Sequence, residues 1–99
     1  MNYPICIEWG SQITATGIQI PDIPGAIAAG DTFKCACRNA LDIAHLMLED
    51  IALGGSDLPM PLPIAHHRSN VEFAGMDWTL LEIDLSPYTK DSSKTGNTG

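Results

Sequence analysis

A chain of 99 residues with a net charge of −7 and a pI near 4.5 is too short for more than one core and too acidic to hold nucleic acid directly. At 44% hydrophobic and 17% charged residues it has an ordinary globular composition, and no apolar run approaches the roughly 20 residues of a membrane span. Met1 leads straight into strand-like sequence with no charged and hydrophobic leader, so the expectation is a cytoplasmic protein, off the membrane, whose partner is a basic protein.

From the start, Tyr3, Ile5, Ile7 and Trp9 alternate with Pro4, Cys6 and Glu8, the period-2 pattern of a strand with one buried face. Gly10 and Ser11 turn the chain. Ile13 and Ala15 share one parity while Ile18 and Ile20 have the other, which predicts a second strand that changes face through a bulge near Gly17. In Pro21-Asp22-Ile23-Pro24-Gly25 two prolines fix φ and remove two donors, so the chain turns tightly at Gly25 and re-enters the sheet over residues 26–29.

Gly30-Asp31-Thr32 then opens a helix over residues 33–53, with Asp31 or Thr32 as N-cap and Gly54-Gly55 as the left-handed stop. At 100° per residue Phe33, Cys37, Ala40, Ala44, Met47 and Ile51 fall on one stripe. Arg38, Asp42, His45 and Glu49 fall opposite, so one helix face lies on the sheet. Residues 58–63, with three prolines, predict an extended surface connection. Ser69 and Glu72 fit a capping box for a short turn ended by Gly75, residues 78–85 read as the last strand, and the polar stretch 89–99 is expected to be a disordered tail beyond a domain at 1–88.

The order is β-β-β-α-β, an α+β fold of one small, mostly antiparallel sheet and one main helix. Cys35 and Cys37 lie about 200° apart on the helix and cannot share a metal or a bridge. Cys6 and Cys37 read as reduced thiols serving as small hydrophobes. Cys35, on the outer side of the first helical turn, leaves a second reading open, a thiol activated by the helix dipole.

Tyr3-Pro4-Ile5, Pro21-Asp22-Ile23-Pro24-Gly25, Gly30-Asp31-Thr32, the helix with its Ala-rich inner face, and Trp78 leading to Glu82-Ile83-Asp84-Leu85-Ser86 stand in the order and at the separations of the HicB antitoxins. Over residues 3–88 the chain resembles the N-terminal domain of that family, a partial RNase H-like fold. The resemblance implies a non-enzymatic, cofactor-free antitoxin of a type II toxin–antitoxin pair. Its partner would be a HicA-type toxin, a small basic mRNA interferase with a double-stranded-RNA-binding-like fold and a catalytic His, whose active site the antitoxin covers. The acidity of the chain agrees with that role, since an acidic protein is steered to an RNA-binding surface. Family members usually continue into a ribbon-helix-helix or helix-turn-helix domain, whereas Asp84-Leu85-Ser86-Pro87-Tyr88 here runs into the polar tail, so direct nucleic-acid binding by this chain alone is not expected. Phe33-Lys34-Cys35 also lacks the acidic residues common at that helix start.

The expected partner-binding residues are Asp22, Asp42, His45, Leu46, Glu49 and Leu53. Leu46 and Leu53 on the outer side of the helix are more than a solvated face needs, unless they are simply isolated exposed leucines. Asp22 either offers its carboxylate to a basic partner or bonds the N–H groups of its own turn. The exposed edges of so small a sheet predict self-association.

Two alternatives belong to other classes. One is a stand-alone module of the same fold that binds a protein or a second copy without a toxin. The other is a metal-dependent nuclease, because Asp42, His45 and Glu49 share a helix face at spacings that a cation can bridge. Arg38, one turn before Asp42, favours a stripe of ion pairs instead, and Glu49 points away from the sheet, so Glu8, Glu49 and Asp84 do not converge. His66-His67 reads as a surface pair.

Overall fold

The computed structural model describes residues 1–88; the stretch 89–99, expected to be a disordered tail, lies outside the described residues. Four strands, β1 (Asn2–Glu8), β2 (Thr16–Gln19), β3 (Ile27–Gly30) and β4 (Asp77–Glu82), form one antiparallel sheet in the order β3-β2-β1-β4. Helix α1 (Phe33–Leu53) lies on one face against β3 and β2. A five-residue helix α2 (Ile64–Arg68), which the sequence pattern did not predict, precedes a 3-10 turn at Val71–Phe73.

Alternation along β1 predicts one buried face, yet all five residues from Tyr3 to Ile7 are buried. The strand is central, and both of its faces are covered. Tyr3 and Ile5 join Ile18, Ile20 and Ile23 in the core, while on the other face Trp78, opposite Cys6 in the ladder, meets Phe73 and His67 of the 64–73 segment. Trp9, at the strand's end, is 54% exposed and sits against Phe33.

The bulge expected near Gly17 is absent. The ladder runs without interruption through Cys6 to Gln19, Ile7 to Ile18 and Glu8 to Gly17, and Ile13 is 92% exposed. The parity change arises in a loop. Ser11 N–H bonds both the carbonyl (2.9 Å) and the hydroxyl (3.1 Å) of Thr14, and Thr16 Oγ1 accepts from Gly10 N–H at 3.1 Å. Short polar side chains offer the backbone these local partners in place of a strand ladder.

Thr32 is the N-cap of α1, with its hydroxyl accepting from Cys35 N–H at 3.1 Å, and Gly55, φ 81°, supplies the left-handed stop. The buried row is Ala36, Ala40, Ala44 and Leu48; of the expected stripe from Phe33 to Ile51, Ala40 and Ala44 are buried and Cys37 and Met47 pack against the core in part. A row at intervals of four drifts steadily around a helix of 3.6 residues per turn, so α1 crosses the strands obliquely and its end residues Phe33 and Ile51 leave the sheet. Alanines let the two backbones approach. At Gly30 the approach is closest: a Cβ there would stand 2.5 Å from Ala36 N.

Beyond α1, Asn70 rather than Ser69 caps the 3-10 turn, accepting from Glu72 N–H at 3.0 Å, while the Ser69 hydroxyl donates to the His66 carbonyl at 2.7 Å. The last strand is shorter than residues 78–85, although Met1 and Ile83 exchange one further pair of bonds beyond it.

Candidate partner-binding surface

Asp42, Leu46, Glu49 and Leu53 form a single exposed stripe at spacings of four, three and four on the side of α1 away from the sheet. Leu46 is 62% and Leu53 81% exposed. Among the described residues no ion pair forms along this stripe, so the expected pairing of Arg38 with Asp42 is not made. Long side chains gain little by holding an exposed pair in one geometry, and these stay apart. Nor do three His, Cys, Asp or Glu side chains gather around a common point among the described residues.

His45 is turned to the side of the stripe and half-buried. The Tyr88 hydroxyl donates to the His45 carbonyl at 3.2 Å and contacts its Nδ1. A phenol has one proton and it goes to the carbonyl, so Nδ1 carries the hydrogen of the second bond. Burial first, and then the charges of Glu49 and Asp84, raise the Tyr88 pKa and keep the phenol neutral. Asp84 is held below the usual carboxylate range, chiefly by the Ser86 backbone N–H and hydroxyl. The result is an acidic rim of Asp42, Glu49 and Asp84 beside two exposed leucines.

Asp22 is not on that face. Its side chain is 3% exposed and turned inward, with Oδ2 2.9 Å from His67 Nε2 and Oδ1 accepting from Leu62 N–H at 3.2 Å. The N–H groups of its own turn bond backbone carbonyls instead: Ile23 to Ile20 and Ala26 to Ile23. Of the two adjacent histidines, His66 is exposed as expected, but His67 is buried, stacked on Trp78 at 5.9 Å and 9°. Tyr3 completes the cluster by donating to the Pro59 carbonyl at 2.6 Å, its pKa raised by burial and by the Asp22 charge. Together Tyr3 and Asp22 fasten residues 59–67 to the sheet. The one sign of this in the sequence is an acid fixed between two prolines, with no indication of where its partner lies.

All three cysteines are free thiols, with Cys6 buried and Cys35 and Cys37 partly buried. Burial pushes the Cys6 and Cys37 thiols up, away from the thiolate form. Cys35 is half-buried behind the N-cap.

Residues 3–98 match the model of the HicB-like antitoxins of bacterial toxin–antitoxin systems. The chain belongs to this family. The same fold is found in the N-terminal domain of the Burkholderia pseudomallei antitoxin HicB, 27% identical with a TM-score of 0.68 over 86% of this chain and all of that one. The longer B. pseudomallei HicB gives 27% identity and a TM-score of 0.75, over 96% of this chain and 70% of the other. A chain of the HicA3–HicB3 toxin–antitoxin complex is 30% identical, with a TM-score of 0.63 over 85% of this chain and 99% of its own. Among curated proteins, an uncharacterized 14.9 kDa protein from the rep–hol intergenic region of Haemophilus phage HP1 is 31% identical over 86 residues, 87% of this chain. The HicB-like chain spans 63% of that relative's length. These likenesses bear out the small antiparallel sheet with one main helix that the sequence predicts.

Proposed function

We propose that this protein neutralises a HicA-type toxin by binding it directly and covering its active site, acting in the cytoplasm without catalysis of its own. The observation that carries the reading is the match of nearly the whole chain to the HicB-like antitoxins, with a HicA3–HicB3 complex among its structural likenesses. The surface supports it. A basic RNA-cleaving partner is attracted by the overall charge of −7 and by the rim of Asp42, Glu49 and Asp84, while Leu46 and Leu53 supply apolar contacts that exclude water from the interface. Carboxylates presented in this way compete with RNA phosphates for the same basic groups.

The test is co-expression of residues 1–99 with the protein encoded beside it, followed by size-exclusion chromatography, growth rescue and an RNA-cleavage assay. A stoichiometric complex that restores growth and stops cleavage is expected. Neither complex nor rescue would overturn the antitoxin reading and leave a stand-alone binding module. Cleavage by the 99-residue chain itself, abolished by EDTA, would point to the nuclease alternative.

A further inference from the structure

The two edges of the sheet are not equivalent. Ile20 N–H bonds Ala26 C=O across the β2–β3 pair, which sets the phase of that ladder and turns the backbone groups of Ile27 and Ala29 outward. Two of those groups are occupied: Ile27 N–H donates to Gly25 C=O at 3.0 Å, and Ala29 C=O accepts from the Asn39 side chain at 2.8 Å. On the other edge, Met1 and Ile83 exchange bonds at 2.9 and 3.2 Å. Leu81, Thr79 and Asp77 therefore point their N–H and C=O groups at β1, and those of Trp78, Leu80 and Glu82 point away. None of these outward groups has a hydrogen-bond partner among the described residues.

An open edge is blunted by a lysine, a proline, a bulge or charges along it, and β4 has no lysine, proline or bulge, while its two charges, Asp77 and Glu82, stand at its ends. Leu80, at its centre, is 52% exposed. It borders a shallow apolar hollow lined by Pro4, Pro61, Leu62, Pro63 and Ile64.

We infer that β4 is the site of self-association, pairing antiparallel with β4 of a second copy about a two-fold axis at Leu80 and joining two four-stranded sheets into one. The register follows from the phase. The outward groups belong to residues 78, 80 and 82, so the one antiparallel arrangement that pairs all of them sets Leu80 opposite Leu80 of the second copy and Trp78 opposite its Glu82. In that register Asp77 faces Ile83, and no acid stands opposite an acid despite the net charge of −7 on each copy. Glu82 also lies 3.2 Å from the N-terminal ammonium group, which offsets its charge at the seam. The isologous contact buries Leu80 from both sides, and each copy brings its own apolar hollow to the join.

The experiment combines light scattering with residue-resolved amide exchange on the full chain, with no toxin present, so that its outcome is separate from the antitoxin reading. The expected result is a dimer in which the amides of Trp78, Leu80 and Glu82 exchange more than about tenfold slower than in a Leu80→Lys variant. That variant is expected to be monomeric at the same concentration, while the slow amides of Thr79 and Leu81 show that its sheet is intact. Ile27→Lys, on the opposite edge, is expected to remain a dimer. A monomeric wild type, a dimer that survives Leu80→Lys, or fast exchange at Trp78, Leu80 and Glu82 in the wild-type dimer would each overturn the inference.

Discussion

His67 Nε2 lies 2.9 Å from Asp22 Oδ2, closing a contact between residues 45 apart in the chain and holding the 64–68 helix to the turn between β2 and β3. A carboxylate oxygen accepts, so Nε2 carries the shared proton, and Oδ1 is left free to bind Leu62 N–H. Asp22→Ala strands two donors at once. It is expected to cost about 1–3 kcal/mol, chiefly for the buried His67 N–H, since water replaces the bond to the exposed Leu62 N–H, whereas Asp22→Asn, which keeps one acceptor oxygen, costs less. Urea unfolding followed by circular dichroism would show the midpoint falling with an unchanged slope. A midpoint unmoved in Asp22→Ala would mean that the contact does not hold the segment.

Tyr3 gives the fold an alkaline limit. Burial and the Asp22 charge raise its folded-state pKa above the ordinary value near 10, so the folded state keeps the proton more tightly than the unfolded chain. The associated stability is fully present below the unfolded pKa and is lost as pH rises through the folded one. Unfolding free energy measured across that range is expected to fall more steeply for the wild type than for Tyr3→Phe. At neutral pH Tyr3→Phe is expected to cost about 0.5–1.5 kcal/mol for the lost bond to Pro59. Equal slopes above pH 10 would show that Tyr3 is not the group responsible.

These two residues also mark where the sequence was readable. The main helix was legible from local signals alone, since Thr32, the alanine row and Gly55 lie within the segment they organise. The succession of strands along the chain followed from alternation and from the proline-bracketed turn, whereas their order in the sheet, β3-β2-β1-β4, is set by tertiary pairing. No bulge forms at Gly17 because residues 13–20 are not one strand: Ser11, Thr14 and Thr16 make a hydrogen-bonded loop ahead of β2. Helix α2 carries no periodicity in five residues, and the destination of Asp22 is fixed only by tertiary packing. The exposed stripe of the candidate surface was visible on a helical wheel; the inward turn of Asp22 and the burial of His67 were not.

Gly30 has a negative φ and is there for space, not for backbone freedom. Gly30→Ala would set a Cβ 2.5 Å from Ala36 N and 2.8 Å from Cys35 C, both backbone atoms that cannot rotate aside. The helix start must move off β3, and a loss of about 1–3 kcal/mol is expected. Thr32→Ala, which removes the cap but leaves the approach intact, is expected to cost about 1 kcal/mol. Thermal unfolding of the two variants compares close approach with capping, and a Gly30→Ala variant as stable as the wild type would contradict the packing described.

Trp78 is stacked against His67 and meets Phe73 edge-on at 5.6 Å and 88°, yet its buried Nε1 has no acceptor among the described residues. An unsatisfied N–H of this kind costs about 1–3 kcal/mol, which offsets much of what the indole's extra area contributes. Trp78→Phe keeps an aromatic ring and removes the orphan donor, so stability is expected to stay within about 1 kcal/mol of the wild type. Trp78→Ala, which also empties the site, is expected to lose about 3–5 kcal/mol. Should Trp78→Phe prove as damaging as the alanine variant, the N–H must have an acceptor.

The proposed toxin-facing stripe separates binding from folding. Leu46 and Leu53 are 62% and 81% exposed, so Leu46→Lys and Leu53→Lys remove little from the core and are expected to leave unfolding free energy within about 0.5 kcal/mol of the wild type. If the leucines anchor the toxin, each variant weakens the complex about tenfold or more, equivalent to about 1.4 kcal/mol. Asp42→Lys and Glu49→Lys act differently: exposed charges steer the encounter, so association slows, and its dependence on salt flattens. Ile13→Lys, 92% exposed in the loop between β1 and β2, serves as the control for an equally drastic change outside both the stripe and the β4 edge. Calorimetry and stopped-flow binding with purified toxin would resolve the two classes, and stripe variants that bind and inhibit like the wild type would move the contact to another face of the molecule.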